Sequence, residues 1–348
     1  MTFEETFHER IALRCDATAA IGVGHVVRCV ALGQELRARG FDVVLWGRID
    51  GIDWLSELVA DSGLGRLPAA DRVSEQVHEA DAAGFAGVVL DGYHLPVPLG
   101  DALRDAGHVV LALVDGDFGA AQAADVYVDQ NLGAEPHRGG PAGSQCLTGP
   151  EFTLLRDSVR MHRRTPGPTS ATGEIRSVLA VFGGTDPAGV APRVIPALLA
   201  TGAELDVSVV ASNPVVADRL AALHLSSRQR LRVIPPQREL AALAATSDLT
   251  ISASGTTVWE LLAIGVPTAV VCAVDNQRLG YRALLAADVA TGLGELPDLD
   301  PMQVTSVLRE LLENPQRATD LAARGQLLID GEGRCRVADA LAALLPDR

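Results

Sequence analysis

Residues 11–40 read IALRCDATAAIGVGHVVRCVALGQELRARG, and this stretch decides how the chain folds. It begins with a short apolar run (11–16), passes two closely spaced glycines, Gly22 and Gly24, and ends at Gly40 after a run with helical apolar spacing. A buried strand that turns through glycines into an amphipathic helix is the first half of a crossover between parallel strands. The stretch therefore predicts a parallel sheet covered by helices.

The same alternation of short β-branched runs and alanine- and leucine-rich helical stretches continues along the chain. The predicted strands of the first half are residues 11–16, 41–47, 87–93, 108–115 and 124–130. Those of the second half are residues 177–184, 205–212, 231–236, 249–254 and 267–274. Parallel strands joined by helices form sheets covered on both faces, so we expect an α/β protein with doubly wound sheets.

A segment without apolar periodicity separates the two halves. Residues 160–176 read RMHRRTPGPTSATGEIR, a composition typical of an exposed linker. At 348 residues the chain is also longer than one core usually supports. We therefore predict two Rossmann-like domains, residues 1–165 and 175–348, which face each other across a cleft, with the last helix free to pack back on the first domain.

Composition limits the partners of this chain. The formal net charge is −15, which disfavours nucleic acid and anionic membrane surfaces, so a bound anion has to be held by local geometry. The five cysteines are scattered and never form CxxC, which argues against a disulfide framework or a zinc site. We expect no metal and no cofactor, and a monomer or weak homodimer.

The chain also lacks the usual signals for export or membrane insertion. No stretch approaches twenty uninterrupted apolar residues, and the amino end, MTFEETFHERIALRCD, is acidic. The sequence therefore predicts a cytoplasmic protein without stable membrane association.

The segment IGVGHVVR (21–28) carries the first candidate site. A dinucleotide fingerprint would need a third glycine where Val27 stands, so a nicotinamide site is disfavoured. What remains is a tight turn that delivers His25 to a helix start, with Arg28 one turn later on the same face. The helix dipole disfavours a charged imidazolium there, which suits a general base, although His25 could also be a structural cap.

Polar groups also follow a strand in VVLDGYHL (88–95). Asp91 could orient His25 or a ligand, and Tyr93 could donate a hydrogen bond to a developing charge or a hydroxyl group. The alternative is ordinary turn chemistry, because Asp-Gly is a common turn dipeptide.

Two glycine-containing loops of the second half are candidate phosphate sites. In FGGTDPAG (182–189), the exposed backbone N–H groups of Gly183, Gly184 and Thr185 could hold a phosphate. In SASGTTVWELLAIGVPTAVV (252–271), a predicted strand is connected to a predicted helix by Ser254, Gly255, Thr256 and Thr257. Unpaired N–H groups at such a helix start attract a diphosphate without a basic patch.

Two further positions have competing interpretations. Glu260, three residues after Thr257, could accept hydrogen bonds from ribose hydroxyls or could belong to a capping box. In VDNQRLGY (274–281), Asn276 and Gln277 follow a predicted strand and could contact sugar hydroxyl or acetamido groups. A helix cap by Asp275 or Asn276 is the structural alternative.

Taken together, these motifs resemble those of a known enzyme family in order and spacing. The motifs are RCDATAAIGVGHVVRC, VVLDGYHL, ALVDGD, YVDQNLGAE, LTGPEFTLLR, VFGGTDPAG, ISASGTTVWELLAIGVPT and VDNQ. They resemble the UDP-sugar hydrolases of the pseudaminic acid pathway, which act on a UDP-linked diacetamido-trideoxy-altrose. That family is similar to the glycosyltransferases with the GT-B fold, including the enzyme that adds N-acetylglucosamine to the peptidoglycan lipid precursor.

The resemblance implies a GT-B fold and metal-independent hydrolysis of a UDP-sugar at the anomeric carbon, with inversion. His25 would activate water with help from Asp91 and Tyr93, and Glu260 would contact the ribose. Uracil is expected near Val233 and Ile234. The full set of expected substrate-binding residues is Gly22, Gly24, Arg28, Gly183, Gly184, Thr185, Ile234, Ser254, Gly255, Thr256, Thr257, Glu260, Asn276 and Gln277.

Two other functions fit the same motifs. An inverting glycosyltransferase would use an acceptor hydroxyl in place of water. A nucleotide-sugar-binding module without catalysis would need the glycines and Glu260 but not His25.

Overall fold

The computed structural model describes residues 9–18, 21–165, 174–183, 186–236 and 239–345. The chain divides into two compact units. The first contains the chain up to Asp157 and from Gly331 onward, and the second runs from Ser158 to Asp330. Within the described ranges, no helix combines the length and the apolar character that a membrane span requires.

The first unit is built on a parallel sheet of seven strands. Its strands are β1 Arg10–Cys15, β2 Asp42–Trp46, β3 Gly65–Leu67, β4 Phe85–Asp91, β5 Val109–Leu113, β6 Val126–Asp129 and β7 Gln145–Thr148. Its helices are α1 Gly24–Ala38, α2 Asp53–Asp61, α3 Val73–Ala83, α4 Leu99–Asp105 and the carboxyl-terminal α13 Gly333–Ala342. A short 3₁₀ helix covers Pro150–Phe152. The boundary between the two units falls within helix α5, Asp157–Met161.

The strand order of this sheet is β3-β2-β1-β4-β5-β6-β7. The order reverses between β1 and β4, which pair directly, with Cys15 opposite Asp91. Ligands of open α/β sheets bind beyond the carboxyl ends of the strands at such a reversal. The segment after β1 and the end of β4 are therefore brought together by the topology.

Both faces of the first sheet are buried because side chains alternate along each strand. In β1, Ile11 and Leu13 face a core that includes α1 and α13, whereas Ala12 faces the opposite core with Leu99 and Leu103 of α4. All five of these residues are fully buried. This two-sided burial explains why the central strands appear in the sequence as nearly continuous apolar runs.

The second unit is built on a parallel sheet of six strands. Its strands are β8 Ser177–Val181, β9 Leu205–Val210, β10 Gln229–Ile234, β11 Leu249–Ala253, β12 Thr268–Cys272 and β13 Thr291–Glu295. Its helices are α6 Ala191–Leu199, α7 Pro214–Ala221, α8 Leu240–Thr246, α9 Thr256–Ile264, α10 Arg278–Ala286, α11 Pro301–Glu313 and α12 Pro315–Leu328. Short 3₁₀ helices cover Asp275–Gln277 and Leu296–Asp298.

The second sheet has the order β10-β9-β8-β11-β12-β13, with its reversal between β8 and β11. The two doubly wound, parallel sheets confirm the predicted α/β class. All ten predicted strands are present, and the structure adds three that the sequence analysis missed, β3, β7 and β13. The structure also groups residues from Gly331 onward with the first unit. The predicted second domain was residues 175–348, with its last helix able to pack back on the first domain.

One glycine fixes how closely the carboxyl-terminal helix approaches the rest of the first unit. A Cβ atom on Gly333, the first residue of α13, would lie 2.4 Å from the backbone N and O of Thr153. Backbone atoms cannot yield as a flexible side chain can, so a larger residue must push the helix away. Gly65, in the edge strand β3, is different, because the nearest atom to its Cβ would be Val44 Cγ2 at 3.4 Å.

We therefore expect Gly333→Ala to lower the free energy of unfolding by about 1–3 kcal/mol. Gly65→Ala, the control in the same unit, should change it by no more than about 0.5 kcal/mol. Urea unfolding followed by circular dichroism measures both variants. Equal stability of the two variants would show that α13 shifts without cost.

Candidate functional site

A glycine turn places His25 at the start of α1. Gly22 has a φ of +86°, a conformation that favours glycine, and its N–H donates to the Thr18 carbonyl oxygen over 2.9 Å. Gly24 is the first residue of α1 and His25 the second. The imidazole is buried, with 8% of the residue exposed. The turn thus places the buried side chain of His25 at the carboxyl ends of the strands of the first sheet.

His25 meets Asp91 and Arg28 in one buried cluster. The distance from His25 Nδ1 to Asp91 Oδ1 is 2.7 Å, and Asp91 is fully buried at the end of β4. Arg28 donates to both carboxylate oxygens of Asp91, from Nε over 2.7 Å and from Nη2 over 2.6 Å. The reversal between β1 and β4 therefore brings three of the predicted site residues into direct contact.

The charge on Asp91 decides which ring nitrogen of His25 carries a proton. Burial opposes ionisation, but the Arg28 guanidinium and the His25 imidazole outweigh it and hold the pKa of Asp91 well below its usual range. An ionised carboxylate can only accept, so Nδ1 of His25 must carry the donated proton. In a neutral ring the lone pair then lies on Nε2, as a general base requires.

Tyr93 packs against the same imidazole. Its ring meets that of His25 edge to face, with centroids 4.7 Å apart and planes at 87°. The Tyr93 hydroxyl donates to Asp115 Oδ2 over 2.5 Å. The sequence predicted that this hydroxyl donates to a developing charge or a hydroxyl group. Its single proton is already donated to Asp115, so in this arrangement Tyr93 can offer a substrate only an acceptor.

Asp115, Asp129 and Asn131 extend the cluster, and none of them was predicted to lie in the site. Asp115 Oδ1 accepts from Arg28 Nη1 over 3.0 Å and from Asn131 Nδ2 over 2.8 Å. Asn131 Nδ2 also donates to Asp129 Oδ1 over 2.8 Å. The signal was available, since Asp115 closely follows β5 and Asp129 ends β6, at the same sheet edge as Asp91.

The two added carboxyl groups differ in their acidity. Arg28 outweighs the effect of burial and lowers the pKa of Asp115, whereas burial, together with the charge of Asp115, raises the pKa of Asp129. The cluster therefore holds ionised Asp91 and Asp115 around a single guanidinium.

The tyrosines give a test of this environment at high pH. Burial is the largest cause that raises the pKa of each of the three tyrosines, Tyr93, Tyr127 and Tyr281, and the Asp115 carboxylate adds to it at Tyr93. As the pH rises, the tyrosines of the unfolded chain therefore ionise before those of the folded chain. Their contribution to the free energy of unfolding is complete below about pH 10 and is lost above it.

We expect absorbance at 295 nm to show no tyrosine ionisation below about pH 10 in the folded protein. Further ionisation should coincide with loss of the circular dichroism signal. In Tyr93→Phe, the unfolding midpoint should fall less steeply with pH above about 10 than in the wild type. A tyrosine that ionises below pH 10 while the fold is intact would contradict the structure.

In the second unit, α9 begins where the sequence predicted a phosphate site. Gly255 precedes the helix in an extended conformation, and Thr256 is the first helical residue. Because Thr257 already lies inside the helix, it is not the helix cap, and the capping-box interpretation of Thr257 and Glu260 is wrong. Glu260 is buried, with 8% of the residue exposed.

Neighbouring strand ends surround this helix start. Ser254 follows β11 and donates from Oγ to the Val271 carbonyl oxygen over 3.2 Å. Gln277 follows β12, and its Nε2 would lie 3.2 Å from a Cβ atom on Gly255. Its Oε1 accepts from Ala273 N over 3.1 Å, which fixes the loop. The structure therefore brings Ser254, Gly255 and Gln277 together.

The remaining predicted residues of the second unit lie on the same sheet edge. Asn276 is exposed in the 3₁₀ helix, and the structure shows no side-chain cap from it or from Asp275 at this helix or at α10. Gly183 follows β8 with a φ of +70°, and Ile234 ends β10. Gly184 and Thr185 lie outside the described residues.

The predicted site residues thus form two groups. The first unit holds Gly22, Gly24, His25, Arg28, Asp91 and Tyr93, and the second holds Gly183, Ile234, Ser254, Gly255, Thr256, Thr257, Glu260, Asn276 and Gln277. Within the described ranges, no group of three or more histidine, cysteine, aspartate or glutamate side chains is arranged to hold a metal ion.

Comparisons with known proteins identify the fold. No family model matches the chain. The chain is 23% identical over 230 residues to the spore coat polysaccharide biosynthesis protein SpsG of Bacillus subtilis, which covers 65% of this chain and 62% of that protein. The chain spans about three fifths of the length of the first curated relatives it matches, 61% and 62%.

Two further comparisons concern a transferase and a solved structure. The chain is 28% identical over 362 residues to the UDP-N-acetylglucosamine–N-acetylmuramyl-(pentapeptide) pyrophosphoryl-undecaprenol N-acetylglucosamine transferase of Agrobacterium fabrum, covering 92% of this chain and 91% of that protein. The crystal structure of Acinetobacter baumannii MurG superposes with a TM-score of 0.69 at 18% identity, covering 97% of this chain and all of that one. The chain therefore has the α/β GT-B fold that the sequence analysis predicted.

Proposed function

We propose that this protein hydrolyses a UDP-linked amino or diacetamido deoxy sugar at the anomeric carbon, releasing UDP and the free sugar. The observation that carries the proposal is the 2.7 Å contact between His25 Nδ1 and the ionised Asp91. This contact leaves Nε2 as the basic atom of a buried ring at the ligand edge of the sheet.

The proposed reaction is a single displacement. Nε2 of His25 takes a proton from water as the water oxygen bonds to the anomeric carbon, and the bond from that carbon to the UDP oxygen breaks with its electron pair on UDP. Attack from the face opposite the leaving group inverts the anomeric centre. Asp91, held by Arg28, stabilises the imidazolium that forms.

The start of α9 is the proposed UDP site. The first amides of a helix have no preceding turn to bond to, and the helix dipole adds positive potential there. Backbone groups of Gly255, Thr256 and Thr257 would then stabilise the diphosphate as negative charge develops on it. Glu260 would accept from the ribose, and the loop at Gly183 and the end of β10 at Ile234 would complete the nucleotide site.

An inverting glycosyltransferase is the second candidate. The similarity to the Agrobacterium fabrum transferase over 92% of this chain supports it. The same His25 would then remove a proton from an acceptor hydroxyl instead of water, and nothing else in the described site would need to change.

Incubation with a panel of UDP-linked amino and diacetamido sugars, without any acceptor, separates the two candidates. A hydrolase should release UDP and free sugar at a rate that persists over many turnovers, and NMR of the first product should show the inverted anomer. Release of UDP only after addition of an acceptor would establish the transferase. Absence of UDP release under both conditions would overturn both assignments.

A further inference from the structure

Phe118 is an unusual residue for its position. It is 45% exposed, and among the phenylalanines in the described part of the chain it alone is an exposed large apolar side chain. It lies directly beyond Asp115, at the carboxyl edge of the first sheet. An aromatic side chain left open beside a polar cluster costs hydrophobic free energy, which a ligand could recover.

The turn that presents Phe118 is firmly held. Asp115 N donates to the Phe118 carbonyl oxygen over 2.9 Å, and Phe118 N donates back to the Asp115 carbonyl oxygen over 3.2 Å. Gly116 has a φ of +61°, and its N–H donates to Asp129 Oδ2 over 2.8 Å. The exposure of the ring is therefore a property of a fixed turn.

Three rings form a continuous row that leads to the proposed base. The ring centroids of Phe118 and Tyr93 are 5.2 Å apart, and those of Tyr93 and His25 are 4.7 Å apart. Tyr93, itself 42% exposed, directs its hydroxyl to Asp115. The rings of Phe118 and Tyr93 thus expose aromatic carbon to solvent next to the His25 imidazole, while the Tyr93 hydroxyl points to the Asp115 carboxylate.

We propose that Phe118, together with Tyr93, is a platform for the apolar face of the sugar ring, and that Phe118 is a specificity-determining residue. This inference rests on the proposed function, because it assigns the platform to the sugar of the nucleotide sugar. Hexopyranoses carry a face of C–H groups that packs on aromatic rings, and a 6-deoxy carbon and acetamido groups add methyl carbons to the apolar surface of the sugar. The proposed UDP site lies at the start of α9 in the second unit, so the platform of the first unit is assigned to the sugar.

The test compares ligands with and without a sugar. Isothermal titration measures the Kd of UDP, of UDP-N-acetylglucosamine and of a UDP-linked 2,4-diacetamido-6-deoxyhexose, all in a His25→Asn background that prevents turnover. Phe118→Ala removes the platform, and Phe118→Tyr keeps an aromatic ring. Met302→Ala, in which an 82% exposed side chain of the second unit is truncated, is the control for loss of surface apolar area.

We expect Phe118→Ala to raise the Kd of at least one UDP-sugar about three- to tenfold while the Kd of UDP stays within about twofold. Phe118→Tyr and Met302→Ala should leave every Kd within about twofold. The proposal is overturned if Phe118→Ala weakens UDP as much as the UDP-sugars, if it changes neither, or if neither UDP-sugar binds. Failure of the proposed function is distinct, because it appears as absence of UDP release by the wild-type protein.

Discussion

Replacement of His25 by asparagine is expected to lower kcat for UDP release about a thousandfold. Asparagine can still donate to Asp91 from its amide group, so the hydrogen bond at Nδ1 has a substitute. It has no basic atom in place of Nε2, so the proton of the attacking water has no acceptor. KM should change much less than kcat, because the proton moves only in the transition state.

Steady-state UDP release from the best substrate of the panel measures this effect. His78→Asn, on the exposed face of α3, is the matched control and should retain wild-type kcat. Thermal unfolding of His78→Asn should match the wild type, and His25→Asn, which loses a buried ring, should remain folded at the assay temperature. If His25→Asn retained a kcat near that of the wild type, His25 would be a structural cap and the proposed reaction would have no base.

Replacement of Asp91 by asparagine is expected to lower both stability and activity. Asp91 is fully buried and accepts two hydrogen bonds from Arg28, which is itself 3% exposed. Removal of one partner of a buried ion pair leaves an incompletely compensated charge and typically costs about 3–5 kcal/mol. Asparagine can also donate to Nδ1 of His25, which would move the ring proton to Nε2 and lower kcat at least about a hundredfold.

Urea unfolding at several pH values measures the stability effect. The folded-state pKa of Asp91 lies below its usual value, so the stabilisation is complete above about pH 4 and declines as the pH falls further. The difference between wild type and Asp91→Asn should therefore be largest near neutral pH and shrink in acid. Asp105→Asn, at the exposed end of α4, should show no such difference at any pH. Equal stability of wild type and Asp91→Asn at pH 7 would contradict the buried ion pair.

Nine of the ten strands that the sequence predicted lie inside their sheets, and only β10 lies at an edge. The missed strands β3, β7 and β13 all lie at sheet edges and contain polar residues or glycine, as in QCLT of β7. An edge strand needs no continuous apolar run, since it is covered less and pairs on one side only. Its place in the sheet is decided by the neighbouring strand, which the local sequence does not contain.

The sequence located the individual site residues better than it located their contacts. Glycine spacing was enough to place His25 at a helix start, because a positive φ at Gly22 is a local property. The role of the Tyr93 hydroxyl was not local, since it depends on Asp115, 22 residues away. The same holds for Asp115 and Asn131, which enter the cluster only because β5 and β6 end at the same edge as β4.

By itself, the sequence determined the alternation of strands and helices, the two-part organisation of the chain and the glycine turn before His25. These follow from periodicity and from backbone conformations that only certain residues adopt. Only the tertiary structure decided that Asp91 is shared between His25 and Arg28, that Asp115 accepts the hydrogen bond of the Tyr93 hydroxyl, and that Asn131 joins the same cluster. The physical reason is that these contacts depend on strand order and close packing between segments far apart in the chain.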